Sequence, residues 1–264
     1  MLEGLDWARL REEYRNASPW PHLVVDNVIT PETAARVADE VAQLPDDALV
    51  RRRSRRVHKL SSLTEGAFGP ATREVLDLLS GPVVTRFAET VTGVATLEAD
   101  RTFCRAGLFV FPPGGWQRVH EDFPVHPHTG LWNRVVLLLY CSEWQPGYGG
   151  GLELWPPDMK ELGRRVDPVP GRLVLFEPTR AHPHGVEAVS EVAGGPRVTV
   201  ASRLYSNEAP VLSPNRAVLR WSRRPSEHRR DVWPTASEVL REVRSRMRRR
   251  TSPAHGAPDR DEVY

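Results

Sequence analysis

His120 and Asp122 stand two residues apart in the segment Arg118-Val119-His120-Glu121-Asp122-Phe123. In an extended strand that spacing turns both side chains to one face, where an imidazole nitrogen and a carboxylate oxygen can ligate one metal ion. A third ligand has to come from a strand paired nearby, and Arg180-Ala181-His182-Pro183-His184-Gly185-Val186 supplies two candidates. His184 is favoured, because a glycine and an apolar alternation follow it and it stands 13 residues before Arg197. His182 precedes a proline and is better placed to orient the loop. Two histidines and one carboxylate leave positions open on a first-row metal for further ligands. Arg197 opens Arg197-Val198-Thr199, where the same spacing turns a guanidinium and a hydroxyl to one face. An inward arginine needs an anion, and its planar fork matches a carboxylate in bidentate fashion. A lone His-x-Asp is usually a surface turn, and a lone strand arginine usually points to solvent. The ordered set of His-x-Asp, His-Gly-Val and Arg-x-Thr is far more specific than its parts.

Short β-like runs carry these residues: Thr102 to Phe111, Val135 to Cys141, Leu152 to Trp155, Leu173 to Phe176, Val186 to Val189 and Val198 to Tyr205. Gly and Pro clusters separate them, the pattern of a β-sandwich or barrel. Trp20 to Val28 reads as an earlier strand. Thr30 and Pro31 read as the N-cap and first position of a helix, with Ala34, Val37, Ala38, Val41 and Leu44 at helical spacing. Segments 70 to 80 and 82 to 92 keep the same period. Leading helices followed by strands predict an α+β fold rather than alternating βαβ units. Beyond Pro210 the chain turns polar and basic until Thr235 and Glu238, a capping-box signature that opens a helix bearing Arg241, Arg244, Arg246, Arg248, Arg249 and Arg250. The expected division is a catalytic domain over 1–210, a C-terminal extension with this basic helix over 211–250, and a disordered polar tail over 251–264.

At 264 residues, 40% hydrophobic and 27% charged, the chain can bury one sizeable core. The formal charge is only +2, and Lys59 and Lys160 are the only lysines. No run of about 18 apolar residues is present to span a bilayer, and Met1 to Asn16 lacks an apolar signal core, so a cytoplasmic location is expected. Cys104 and Cys141 match no ligand spacing and read as reduced core residues.

With these motifs in place, residues 21 to 206 resemble the Fe(II)/2-oxoglutarate dioxygenases of the prolyl 4-hydroxylase-like branch. The resemblance rests on His120 to Phe123, the loop His126-Pro127-His128-Thr129-Gly130-Leu131, the strand Val135 to Tyr140, Trp144, and Gly150-Gly151-Leu152-Glu153-Leu154. It implies a double-stranded β-helix, a cupin-like jelly roll, flanked by N-terminal helices. It further implies Fe(II) on His120, Asp122 and His184, O2 and 2-oxoglutarate as co-substrates, and ascorbate as an aid in vitro. Tyr140 aligns with a family tyrosine that joins Arg197 and Thr199 on the distal carboxylate of 2-oxoglutarate. There are departures: Tyr140-Cys141-Ser142 replaces Tyr-Leu-Asn, and Phe111 stands where a tyrosine is common. Related halogenases replace the carboxylate ligand, and Asp122 argues against halogenation.

The substrate expected from this resemblance is a small polar metabolite, a natural-product intermediate of the kind met in antibiotic biosynthesis, hydroxylated or closed into a ring; the polar and aromatic residues around the expected mouth suit an aminoglycoside-like one. A peptidyl-prolyl hydroxylase is the enzyme alternative, and a metal-binding cupin-like module the non-enzyme one. Selectivity is expected from the loop Phe123 to Asn133 and the segment Leu49 to Leu63, both read as irregular. Candidate substrate contacts are Glu121, His126, His128, Trp132, Asn133 and Arg203. Nucleic acid is not the expected partner, since the arginines of 51–56 lack the interleaved aromatics of a stacking platform. The oligomeric state is left open.

Overall fold

Local signals in the first hundred residues set where the helices begin. The structure, a computed structural model, describes residues 2–62, 65–211 and 220–228. Asp6 caps α1 (Trp7–Asn16) by accepting from the Arg9 amide at 3.0 Å, and Thr30 caps α2 (Pro31–Ala42) by accepting from Thr33 at 3.2 Å. Helix α3 (Pro70–Leu79) starts after Gly69, which has no side chain to offer. Glu40 of α2 serves instead, accepting from the Ala71 and Thr72 amides at 2.6 and 2.9 Å. This ties two helices together and places a negative charge at a helix N-terminus. Helix α4 (Pro82–Thr92) ends on Gly93 at φ 77°.

The strands are β1 (His22–Val25), β2 (Val50–Arg53), β3 (Val57–Ser61), β4 (Glu98–Ala99), β5 (Gly107–Phe111), β6 (Trp116–Glu121), β7 (Trp132–Tyr140), β8 (Leu152–Leu154), β9 (Arg164–Val166), β10 (Leu173–Phe176), β11 (His184–Val186), β12 (Arg197–Ser206) and β13 (Arg220–Trp221). They pair antiparallel in the order β1-β10-β7-β12-β5-β3-β6-β11-β8-β9, with β13 on β6, β2 on β3 and β4 on β12. The sheet curls into a double-stranded β-helix with helices against it, the expected α+β architecture.

Alternation along the central strands separates two cores. Val135, Leu137 and Leu139 of β7 and Val198, Val200 and Leu204 of β12 pack with the helices. Val136, Leu138 and Tyr140 turn the other way, toward Trp20, Leu154 and Phe176. By the same period Arg197, Thr199, Ala201, Arg203 and Tyr205 face the interior of the curl. Leu137 is fully buried between β10 and β12, and Leu137→Ala is expected to cost about 2–5 kcal/mol. A urea midpoint equal to that of the wild type would show that this layer does not carry the stability.

Several sequence expectations shift. The strand expected from Thr102 begins at Gly107, because Asp100 accepts from the Thr102 and Cys104 amides, both at 2.8 Å, and builds a turn first. Cys104 is therefore half-buried in that turn rather than in the core, while Cys141 is buried; neither forms a disulfide among the described residues. Most of the segment 49–63, read as irregular, is the β2–β3 hairpin. The polar helix α1 was not foreseen. Residues 220–221, expected in the extension beyond the catalytic domain, pair with β6. The basic helix expected from Thr235 and the tail 251–264 lie outside the described residues. Among the described residues, no helix is long and apolar enough to cross a membrane.

Candidate active site

Antiparallel pairing of β6 and β11 sets His184 directly opposite His120. From that pair to the next, Val186 opposite Gln117, β11 advances two residues and β6 three. The extra residue is a bulge, and it brings Gln117 to the side of His120, with Nε2 atoms 3.0 Å apart. Asp122 follows the end of β6. Its Oδ1 lies 3.5 Å from His120 Nε2 and its Oδ2 lies 3.9 Å from His184 Nε2. One ligand atom from each of the three residues lies within 4.8 Å of the others. The Nδ1 atoms of His120 and His184 sit 3.0 Å from the carbonyls of Arg118 and His182. A proton on each Nδ1 satisfies those carbonyls and leaves both Nε2 lone pairs for a metal. His182 is turned away, its ring stacked 4.7 Å from Trp20 and its Nδ1 on the Glu177 carbonyl. Of the two candidate histidines, only His184 shares the cluster.

Burial pushes the Asp122 carboxyl up, but the Arg203 guanidinium and both histidines outweigh it and hold it well below the usual range. Arg203 Nη1 donates to Asp122 Oδ2 at 2.9 Å. Burial and neighbouring His120 push His184 down to about 3, against the opposing pull of Asp122. Burial takes His22 down to about 4. Neutral, buried histidines give the metal-free protein a pH dependence of definite sign. Between those values and 6.5 the unfolded chain binds more protons, so stability is present above pH 6.5 and is lost as pH falls. The loss is about 1.4 kcal/mol per pH unit for each fully titrating group. Urea midpoints of EDTA-treated protein at pH 7 and pH 5 check this; equal midpoints would mean that these rings gain protons without unfolding.

Arg197, Thr199 and Tyr140 meet on adjacent strands, with Thr199 opposite Tyr140. Arg197 Nη1 donates to Thr199 Oγ1 at 2.9 Å, and the guanidinium carbon lies 4.7 and 5.1 Å from the ring centres of Tyr140 and Phe111. Gly150, at φ 71°, passes so close that a Cβ there would lie 3.0 Å from Arg197 Cδ, which gives the glycine-rich motif a packing reason beyond the turn. Buried Arg197 Nε and Tyr140 hydroxyl make no hydrogen bond among the described residues. Two such orphaned donors side by side suit a carboxylate. The donor sets thus fit both an Fe(II) ion and the distal carboxylate of 2-oxoglutarate.

The expected substrate contacts divide. His126 is buried: its Nδ1 accepts from the His128 and Thr129 amides at 3.2 Å, and its Nε2 lies 3.3 Å from Asp100 Oδ2. The Nδ1 contacts serve the loop's own structure, and Nε2 faces Asp100 from outside the loop. His128 is exposed. Asn133 is buried and donates to the Phe123 carbonyl at 3.3 Å. Trp132 is half-buried. Glu121 belongs to the strand position opposite Arg220, the alternate side from His120. Arg203 faces the interior but on Asp122, not as a second anion clamp. Two residues were missed. Lys59, buried on β3, donates to Gln117 Oε1 at 3.0 Å. Trp221 lies opposite His120, ring centres 5.4 Å apart. The apolar run Ala217-Val218-Leu219 before it was the available signal, hidden by the surrounding arginines.

Residues 106–205 match the family model of the 2OG-Fe(II) oxygenase superfamily. No curated protein matches the chain. Among solved structures it is similar to a Pseudomonas putida prolyl-4-hydroxylase, with 18% identity, TM-score 0.55, and coverage of 77% of this chain and 100% of that one. It is also similar to a Trichoplax adhaerens prolyl hydroxylase in complex with a hypoxia inducible factor peptide fragment (17%, 0.55, 76% and 89%). A third similar structure is the non-heme alpha-ketoglutarate-dependent carbocyclase SnoK from nogalamycin biosynthesis (15%, 0.54, 79% and 87%). At these identities the structural likeness speaks for the fold, and the family match over the strands that carry the cluster speaks for the chemistry. Residues 106–205, which hold His120, Asp122, His184 and Arg197, thus match the 2OG-Fe(II) oxygenase superfamily, and that match with the three-residue cluster supports an oxidoreductase that uses Fe(II), 2-oxoglutarate and O2.

Proposed function

We propose that the chain oxidises a C–H bond of a small polar metabolite, by hydroxylation or oxidative ring closure. His120, Asp122 and His184 would hold Fe(II), and Arg197, Thr199 and Tyr140 the distal carboxylate of 2-oxoglutarate. The observation that carries the assignment is the buried three-residue cluster beside a buried arginine and tyrosine with orphaned donors. With O2 and 2-oxoglutarate, bound iron supplies the oxidising power, and 2-oxoglutarate leaves as succinate and CO2. Arg203 keeps Asp122 ionised, and the Arg118 and His182 carbonyls hold both ring tautomers. Phe176, in edge contact with His184 at 4.8 Å, and Trp221 keep water from the ligand set. Trp221, its ring 5.4 Å from that of His120, offers a flat wall better suited to a compact cyclic molecule than to an extended chain.

Likeness to a carbocyclase of nogalamycin biosynthesis supports a role in natural-product tailoring, while likeness to two prolyl hydroxylases keeps a peptidyl-proline substrate as the second reading. Oxygen-dependent succinate formation, measured over a panel of metabolites and proline-containing peptides, tests both. The expected result is stimulation by a metabolite and not by peptides; stimulation by a proline peptide alone would replace the first reading with the second.

A further inference from the structure

Gln117 stands three residues before His120, and in a regular strand that spacing would turn the two side chains to opposite faces. The bulge in β6 shifts the alternation by one residue and brings both to the same side. Gln117 is only 6% exposed, and its amide nitrogen lies 3.0 Å from Nε2 and 3.5 Å from Nδ1 of the His120 ring. The Nε2 lone pair points away from Nδ1, so a donor seated on it could not lie so nearly the same distance from both nitrogens. The amide therefore rests over the ring and leaves the lone pair for a metal. Lys59 fixes which way the amide faces: its Nζ donates to Gln117 Oε1 at 3.0 Å, which turns the NH2 group toward His120. That lysine nitrogen is itself held 4.3 Å from the centre of the Phe109 ring. Among the described residues, the two N–H groups of the amide meet no oxygen, only the imidazole. A ring face is a weak acceptor, so the NH2 group is buried with most of its hydrogen-bonding capacity unused.

We propose that Gln117 is a co-substrate-binding residue: its NH2 group donates to an oxygen at the end of 2-oxoglutarate that meets the metal, and Lys59 is the positioning residue that aims it. This rests on the oxygenase reading and adds a contact at the end of the co-substrate opposite Arg197. A first-row metal ion lies about 2.1 Å from a histidine nitrogen that binds it. Gln117 Nε2, 3.0 Å from His120 Nε2, would then stand within about 5 Å of the ion, in reach of an oxygen beside it. The keto acid end of 2-oxoglutarate brings both a carboxylate and a carbonyl oxygen, acceptors for a buried donor that the protein leaves unsatisfied.

The test uses the full chain held without oxygen, titrated first with Fe(II) and then with 2-oxoglutarate, and followed by calorimetry and by the visible charge-transfer absorption of the complex. No uptake of 2-oxoglutarate by the wild type would defeat the oxygenase reading itself. In Gln117→Leu, Fe(II) affinity is expected to stay within about threefold of the wild type, while 2-oxoglutarate binds roughly 10- to 100-fold more weakly and the absorption band moves. Gln117→Glu, alike in shape but without the N–H groups, is expected to lose at least as much. Wild-type 2-oxoglutarate affinity with an unmoved band would overturn the proposal. So would a loss confined to Fe(II) affinity, the mark of an amide that only steadies the His120 ring. Lys59→Met is expected to weaken 2-oxoglutarate as well, but to add little in the Gln117→Leu background, because its effect passes through the amide. Additive losses would overturn the positioning role of Lys59. Should Gln117→Leu not fold, Gln117→Glu carries the same comparison.

Discussion

Asp122→Asn is expected to abolish succinate formation and to weaken Fe(II) binding by more than about 100-fold. Loss of a residue that merely supports a metal ligand already costs roughly 10- to 100-fold, and Asp122 supplies the only negative charge of the ligand set. The amide keeps the shape of the carboxylate but removes the charge that Arg203 meets at 2.9 Å, so a buried guanidinium is left unneutralised. Breaking a buried pair from one side costs about 3–5 kcal/mol, so the metal-free variant should also melt earlier. Fe(II) titration under nitrogen, melting curves and a succinate assay separate the two losses. Wild-type succinate formation in Asp122→Asn would remove the three-ligand assignment.

The second large effect is expected at Arg197. Arg197→Ala should weaken 2-oxoglutarate by about 2–5 kcal/mol, or roughly 30-fold to several thousandfold, because a carboxylate would be buried without its charged partner. Calorimetry without oxygen measures this directly. The fold should tolerate the change, since Arg197 donates only to Thr199 in the hydrogen bonds seen here and its Nε has no partner among the described residues. Affinity equal to that of the wild type would place the distal carboxylate elsewhere, with Lys59 the next cation to examine.

Much of the site was legible because its spacings are local. Two-residue steps put His120 with Asp122 and Arg197 with Thr199 on shared faces in any extended strand, whatever the strand pairs with. The choice between His182 and His184 was harder, since both lie in one short loop-to-strand segment. Pairing decided it: His184 is in register with His120, while His182 falls in the turn beside Trp20. The loop 123–133 looked like a substrate surface because its side chains are polar. Those of His126 and Asn133 also make hydrogen bonds within the loop, which polarity alone does not reveal.

By itself the sequence determined the starts of α2, α3 and α4, the strand-rich second half, the candidate ligand and clamp residues, and their order along the chain. Each of these follows from short-range geometry or from the side chain's own chemistry. Tertiary structure alone decided that a bulge turns Gln117 beside His120, that Arg203 serves Asp122, and that Lys59 and Trp221 arrive from distant strands. Those outcomes depend on which strands pair and in what register. One inserted residue reverses every face beyond it, and no spacing within a single strand reports the register of its neighbour.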